Sequence, residues 1–231
     1  MKKSVVCLFA AFAAFATIQS SNAQVIADWT FETTSNSITG SGLSLGPLAA
    51  DIGSGSASGT HASSTTWSHP AGNGSPSSFS ATIWAVGDYF QFNVSTLGFS
   101  GIQLSFDQTS SNTGPGIFGL FYSVNGGSYT QFGVNYNVLP NAAPNPTWNI
   151  NTYNSIYTST FDLSSITALN NAASVSFRLV DMSTTSANGG TVAVGGTDRV
   201  DNFVVSVPEP STLVLAGLGG AASLLAFRRR R

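Results

Sequence analysis

Residues 117–132 read IFGLFYSVNGGSYTQF: two strand-like runs, 117–124 and 128–132, on either side of Asn125-Gly126-Gly127. Asparagine and glycine accept positive φ at low cost, so this centre predicts a tight hairpin between antiparallel strands. Outward from it the same period of two recurs. In 101–107, Ile102, Leu104 and Phe106 share one face and Gln103, Ser105 and Asp107 the other. In 88–94, Phe90, Phe92 and Val94 alternate with Tyr89, Gln91 and Asn93. Segments 25–31, 156–163, 173–181 and 199–207 complete seven to nine predicted strands, bounded by Gly, Asn, Ser and Pro clusters. Only 164–170 suggests a helical turn. Such alternation means antiparallel sheets with one buried face each. The expected fold class is all-β: an antiparallel two-sheet sandwich, jelly-roll-like, with aromatic side chains supplying its core. The small, polar, glycine-rich stretch 40–80 is expected to be dominated by loop.

Charge divides the chain into three. Of the 8 Lys+Arg in 231 residues, six sit at the ends: Lys2, Lys3 and Arg228 to Arg231. Between 24 and 207 the only cations are Arg178 and Arg199, against nine carboxylates, a balance of −7 without a single lysine. Nucleic-acid binding is excluded as an expectation, because neutralising phosphates requires clustered Lys and Arg. Ser and Thr supply 51 of these 184 positions, Gly 21 and Asn 16, so the surface is hydrated and offers many hydroxyls for O-glycosylation.

The ends account for the cations. Residues 1–23 have the form of a secretory signal peptide: Lys2 and Lys3, an apolar run at 5–16, and Ser21-Asn22-Ala23 ahead of a cut before Gln24. The run is too short to span a bilayer, which takes about 20 residues. The only cysteine, Cys7, lies within this leader, so residues 24–207 can form no disulfide and carry no thiol nucleophile. At the other end Val207-Pro208-Glu209-Pro210 precedes an apolar stretch, 212–227, closed by four arginines. Sixteen residues of helix rise roughly 24 Å, enough for a single transmembrane helix in a thin bilayer. The arginines would hold its end inside and the body outside. Spacing alone equally allows an ordinary tail anchor.

This order of Val-Pro-Glu-Pro, apolar helix and terminal arginines resembles the PEP-CTERM sorting signal of Gram-negative bacteria, over residues 207–231. The resemblance implies that the partner is an exosortase, which would cut near Pro208-Glu209-Pro210. It also implies an inner-membrane intermediate, then delivery to the cell surface or extracellular matrix. The chain is accordingly divided into a signal peptide (1–23), a β-sandwich passenger (24–207) and a sorting segment (207–231). Asp28-Trp29-Thr30-Phe31-Glu32, Ser105-Phe106-Asp107, Tyr122 to Gly127 and Arg199-Val200-Asp201-Asn202-Phe203 are similar to passenger domains of such proteins, a likeness that brings no activity with it.

No catalytic residue is assigned. His61 and His69 both fall in the Gly/Ser-rich stretch, no Gly-x-Ser-x-Gly elbow is present, and a Ser-His-Asp relay needs an oriented histidine beside its nucleophile. The Trp-x-Phe-Glu opening and Val-Asp-Asn-Phe closing segments resemble jelly-roll carbohydrate-binding modules that hold a structural Ca²⁺. On that likeness Glu32 and Asp201 are the candidate metal ligands. Trp67 and Trp148 lie in polar sequence and are the candidate glycan platforms, whereas Trp29 and Trp84 are assigned to the core. The expected function is a non-enzymatic, structural or adhesive protein of the cell surface or matrix. The alternatives are a polysaccharide-binding module with calcium, and a secreted hydrolase.

Overall fold

The computed structural model describes residues 23–208; residues 1–22 of the leader, Glu209, Pro210 and the apolar and arginine segments lie outside the described residues. Twelve strands are present: β1 (Gln24–Trp29), β2 (Gly40–Ala49), β3 (Ile52–Gly53), β4 (Gly55–Ser68), β5 (Phe79–Ala81), β6 (Tyr89–Val94), β7 (Gln103–Ser110), β8 (Ile117–Val124), β9 (Thr130–Asn137), β10 (Thr158–Asp162), β11 (Val175–Asp181) and β12 (Asp198–Val207). The fold is all-β, and every pairing between these strands is antiparallel. β8 and β9 form the expected hairpin, with Asn125 at φ 50° and Gly126 at φ 76°. The expected helical turn is a single 3-10 turn, Thr167–Leu169.

Hydrogen bonding runs in the order β10-β7-β12-β5-β4-β6-β11-β8-β9, with β1 beside β12, β3 beside β1 and β2 beside β4. Aromatic contacts show how this sheet doubles over. Phe92 of β6 stacks on Phe203 of β12 with ring centroids 3.5 Å apart, although β5 and β4 separate them in the order. Phe161 of β10 reaches Phe132 and Tyr136 of β9, the opposite end of the path, at 6.3 and 5.6 Å. The sheet therefore packs against itself as a β-sandwich. Apolar positions of the alternating strands line the interior: Ile102, Leu104, Phe106, Phe90, Phe92, Phe177, Leu179 and Phe203 are all buried.

The stretch 40–80 departs from expectation. Rather than loop, it contains β2, β3, β5 and the fourteen-residue β4, the longest strand described. Its small residues answer to indole rings packed against them. A Cβ on Gly55 would lie 2.5 Å from the Trp29 ring, and one on Gly59 2.4 Å from the Trp67 ring. The indoles occupy the volume that β-branched side chains fill in an ordinary strand. Gly59→Ala is expected to lower stability by about 1–3 kcal/mol through overpacking, read as a shift of the urea midpoint. A change below about 0.5 kcal/mol would instead show the ring moving aside.

Candidate functional site

The expected sorting motif begins where the domain ends. Val207 is the last residue of β12, is buried, and pairs directly with Gln24, the first residue of β1. Pro208 is exposed. The two segments assigned to targeting thus leave from adjacent positions on one strand pair.

The two candidate metal ligands meet the same loop as hydrogen-bond acceptors. Ser77 N–H donates to Glu32 Oε1 at 3.1 Å. Asp201 Oδ2 accepts from Asn73 N–H at 2.9 Å and Ser75 Oγ at 2.8 Å, and its Oδ1 accepts from Asn202 N–H at 2.8 Å. Asn202 sits at φ 49° where the β12–β7 register shifts, a bulge beside Asp201. Its amide donates to Asp107 Oδ2 at 2.8 Å. Gly72 completes the close approach, for a Cβ there would meet Asp201 Oδ2 at 2.2 Å. With donors already directed at both Asp201 oxygens, the carboxylate acts as a loop anchor, and the residues as placed do not fit a calcium cage. Among the described residues no three His, Cys, Asp or Glu side chains group as metal ligands would.

Trp67 and Trp148 correct the expectation of exposed glycan platforms: they are 2% and 3% exposed. Trp67 stacks on Phe79 at 5.5 Å and donates its indole N–H to Gly42 O. Trp148 packs edge-on against Tyr157 at 5.3 Å and donates to Ala71 O at 2.7 Å. Each covers apolar surface beneath polar chain, which is why polar neighbours in the sequence were a poor guide to exposure. Trp29 and Trp84 are buried, as expected. His61 is buried between Trp67 and Trp84, with Nδ1 3.2 Å from both Ile83 O and Asp88 Oδ2. Burial lowers its pKa, the Asp88 charge opposing. Among the described residues no serine hydroxyl hydrogen-bonds to either histidine.

A different surface gathers the polar chemistry. Strands β4, β6, β11 and β8 are neighbours, and their registers place Ser58, Gln91, Arg178 and Phe121 in one row across the outward face. Ser56, Asn93, Ser176 and Ser123 form the next row, and Thr60, Tyr89, Val180 and Gly119 the row on the other side. No carboxylate stands in these rows. The Arg178 guanidinium lies between two rings, 3.9 Å from the Tyr89 centroid and 3.7 Å from that of Tyr129. Arg178 Nε donates to Gln91 Oε1 at 2.7 Å, which also accepts from Tyr129 O–H at 3.0 Å. Gln91 Nε2 donates to Asn93 Oδ1 at 3.0 Å, and Ser176 Oγ to the same oxygen at 2.6 Å. Sequence analysis missed this cluster. Its signal was present in the outward parity of β6 and in Arg178 being one of only two interior cations.

Comparisons with known proteins bear on the two ends of the question unequally. Residues 206–231 match the PEP-CTERM protein-sorting motif. The motif is consistent with an exosortase substrate and implies export to the cell envelope or surface. No curated protein matches the chain. Among solved structures, the K3 cleaved adhesin domain of Lys-gingipain from Porphyromonas gingivalis is 14% identical, covering 61% of this chain and 79% of that one at TM-score 0.37. The family 11 carbohydrate-binding module from Clostridium thermocellum, in complex with a mixed-linked tetrasaccharide, is 14% identical over 80% and 97% at TM-score 0.32. TmCBM61 with a galactotriose is 12% identical over 56% and 70% at TM-score 0.31. At these scores no residue of theirs is carried over.

Proposed function

We propose that this chain is an exported, exosortase-processed, non-enzymatic protein that adheres to polysaccharide of the extracellular matrix through the outward face around Arg178. The sorting motif supports the destination. The carrying observation for the activity is the preorganised cluster of Arg178, Tyr89, Tyr129, Gln91 and Asn93, where planar and polar groups are fixed in place before any ligand arrives. Aromatic flanks beside amide and hydroxyl donors suit saccharide rings, which present both C–H faces and hydroxyl edges. A sandwich with its first and last strands side by side, as β1 and β12 are, also accords with the jelly-roll type inferred from sequence.

Processing and adhesion are tested together in the host. The wild-type chain is expected to lose its C-terminal segment, to fractionate with extracellular polysaccharide, and to be released when that polysaccharide is depolymerised. Deletion of the exosortase is expected to leave the unprocessed chain with the membrane. A chain of the same mass with and without exosortase would overturn the processing claim, and one indifferent to depolymerisation the adhesive claim.

A further inference from the structure

We propose that the Arg178 face, read above as a saccharide-binding surface, is selective for anionic polysaccharide, with the guanidinium clamping the carboxylate of a uronic-acid residue. The inference rests on that reading and adds the charge class of the ligand. Arg178 is held on three sides: Tyr89 covers one face of its guanidinium, Tyr129 the other, and Gln91 takes Nε–H. What remains free is the edge bearing Nη1 and Nη2. Those nitrogens hydrogen-bond to no described residue and are not among the buried unpaired atoms. A planar fork of N–H donors aligned in this way matches a carboxylate two-pronged, in a manner that a lysine ammonium does not reproduce.

Charge placement strengthens the argument. Nine carboxylates are available between 24 and 207, yet Arg178 forms an ion pair with none of them. The twelve positions in the three rows of the face contain no Asp or Glu. Arg199, the other interior cation, is mostly buried, and its Nε has no partner. Arg178 thus places a guanidinium on a carboxylate-free patch of an acidic domain, immobilised by neutral groups. Immobilisation before binding lowers the entropic cost of capturing a ligand. The hydroxyls and amides of Ser176, Asn93, Ser56 and Ser58 extend along the strands beside it and can accept neighbouring sugar hydroxyls.

The test compares one polymer in two charge states. Affinity electrophoresis of the processed full protein, purified from its host, is run against polygalacturonate and against the same polymer after chemical reduction of its carboxyl groups. Binding to the native polymer is expected to exceed that to the reduced one by roughly tenfold to a hundredfold. Arg178→Gln is expected to bring native-polymer binding down to the reduced-polymer level, and Arg178→Lys to recover only part of it. Equal binding to the two polymers by the wild-type protein would overturn the anionic selectivity while leaving saccharide adhesion standing, and it needs no variant to fold. Binding to neither polymer nor to the host matrix polysaccharide would overturn the adhesive reading and this inference together. Binding to poly-glutamate with no binding to either polysaccharide would assign the clamp to an acidic polypeptide instead.

Discussion

Phe203→Ala is expected to cost about 3–5 kcal/mol of folding stability, the usual range for removing a fully buried aromatic ring. Phe203 has no exposed surface and lies where the two layers meet. Its ring is parallel to Phe92 within 1° at 3.5 Å, nearly parallel to Phe106 at 5.6 Å, and edge-on to Trp29 at 5.9 Å. Those partners come from β6, β7 and β1, so one substitution loosens contacts among four strands. Neighbouring backbone cannot collapse readily into the void. Asn202 is committed to the bulge, and β12 is paired on both flanks, to β1 and β7. Without a disulfide in 24–207 there is no covalent tie to limit the loss. In a domain of this size the Tm is expected to drop by about 6–20 °C, measured by calorimetry or by denaturant midpoint. A loss under about 1 kcal/mol would show that the layers repack around the gap. Phe203→Leu keeps most of the volume and is expected to fall in between.

How far the fold could be read from sequence follows from what each strand faces. Strands such as β6, β7 and β11 carry their own bulk on alternate positions, so period two was visible and the assignments agree with the structure to within two or three residues. β4 carries little at its small positions: Gly55 and Gly59 look like loop because they pack against Trp29 and Phe79 of other strands and against Trp67 at the far end of β4 itself. A pattern rule that scores each segment alone has no access to bulk supplied by another strand. The same limitation explains the tryptophans. Trp67 and Trp148 were judged by their polar neighbours, whereas their burial depends on Phe79 in one case and on Ala71 and Tyr157 in the other. Glu32 and Asp201, singled out as carboxylates of the opening and closing segments, both accept from the loop carrying Asn73, Ser75 and Ser77, donors that a list of carboxylates does not show. Arg178 was legible as a rare cation, but its two tyrosine neighbours meet it only once β11, β6 and the β8–β9 hairpin are in register.

Stability is expected to rise as pH is lowered from about 8 to about 5, contrary to the behaviour of proteins stabilised by ionised carboxylates. Burial raises the Asp201 carboxyl to about 7, with the nearby Asp107 charge adding to it against three hydrogen bonds. Burial also raises Asp28 to about 6, aided by Asp51, and Asp181 to about 6, aided by Asp88. Asp198, wholly enclosed, is pushed well above its ordinary range by burial, with Asp181 adding to it against hydrogen bonds from Gln108 and Ser110. Each of these groups binds its proton more tightly folded than unfolded. Each therefore adds stability as pH falls through its folded pKa toward the ordinary 3.8, and loses it as pH rises. His61 works in the opposite sense: its folded pKa lies below 6.5, so the stability it contributes at higher pH is lost as pH falls below that value. Four carboxyls outweigh one imidazole. Below about pH 4 the slope is expected to reverse, because Asp51 is held below the usual range by donors at Thr33, Thr30 and Phe31 despite its partial burial. Asp201 is the largest single contributor with a stated value, on the order of a few kcal/mol across the window. The half-buried Asp28 and Asp181 add less, since solvent screens them. A melting-temperature series from pH 8 to pH 4 checks the profile, and Asp201→Asn, which carries no titrating proton, is expected to flatten it between about pH 7 and pH 4. A Tm highest at pH 8 would mean that these carboxylates are stabilised as anions in the fold, and would overturn the predicted profile.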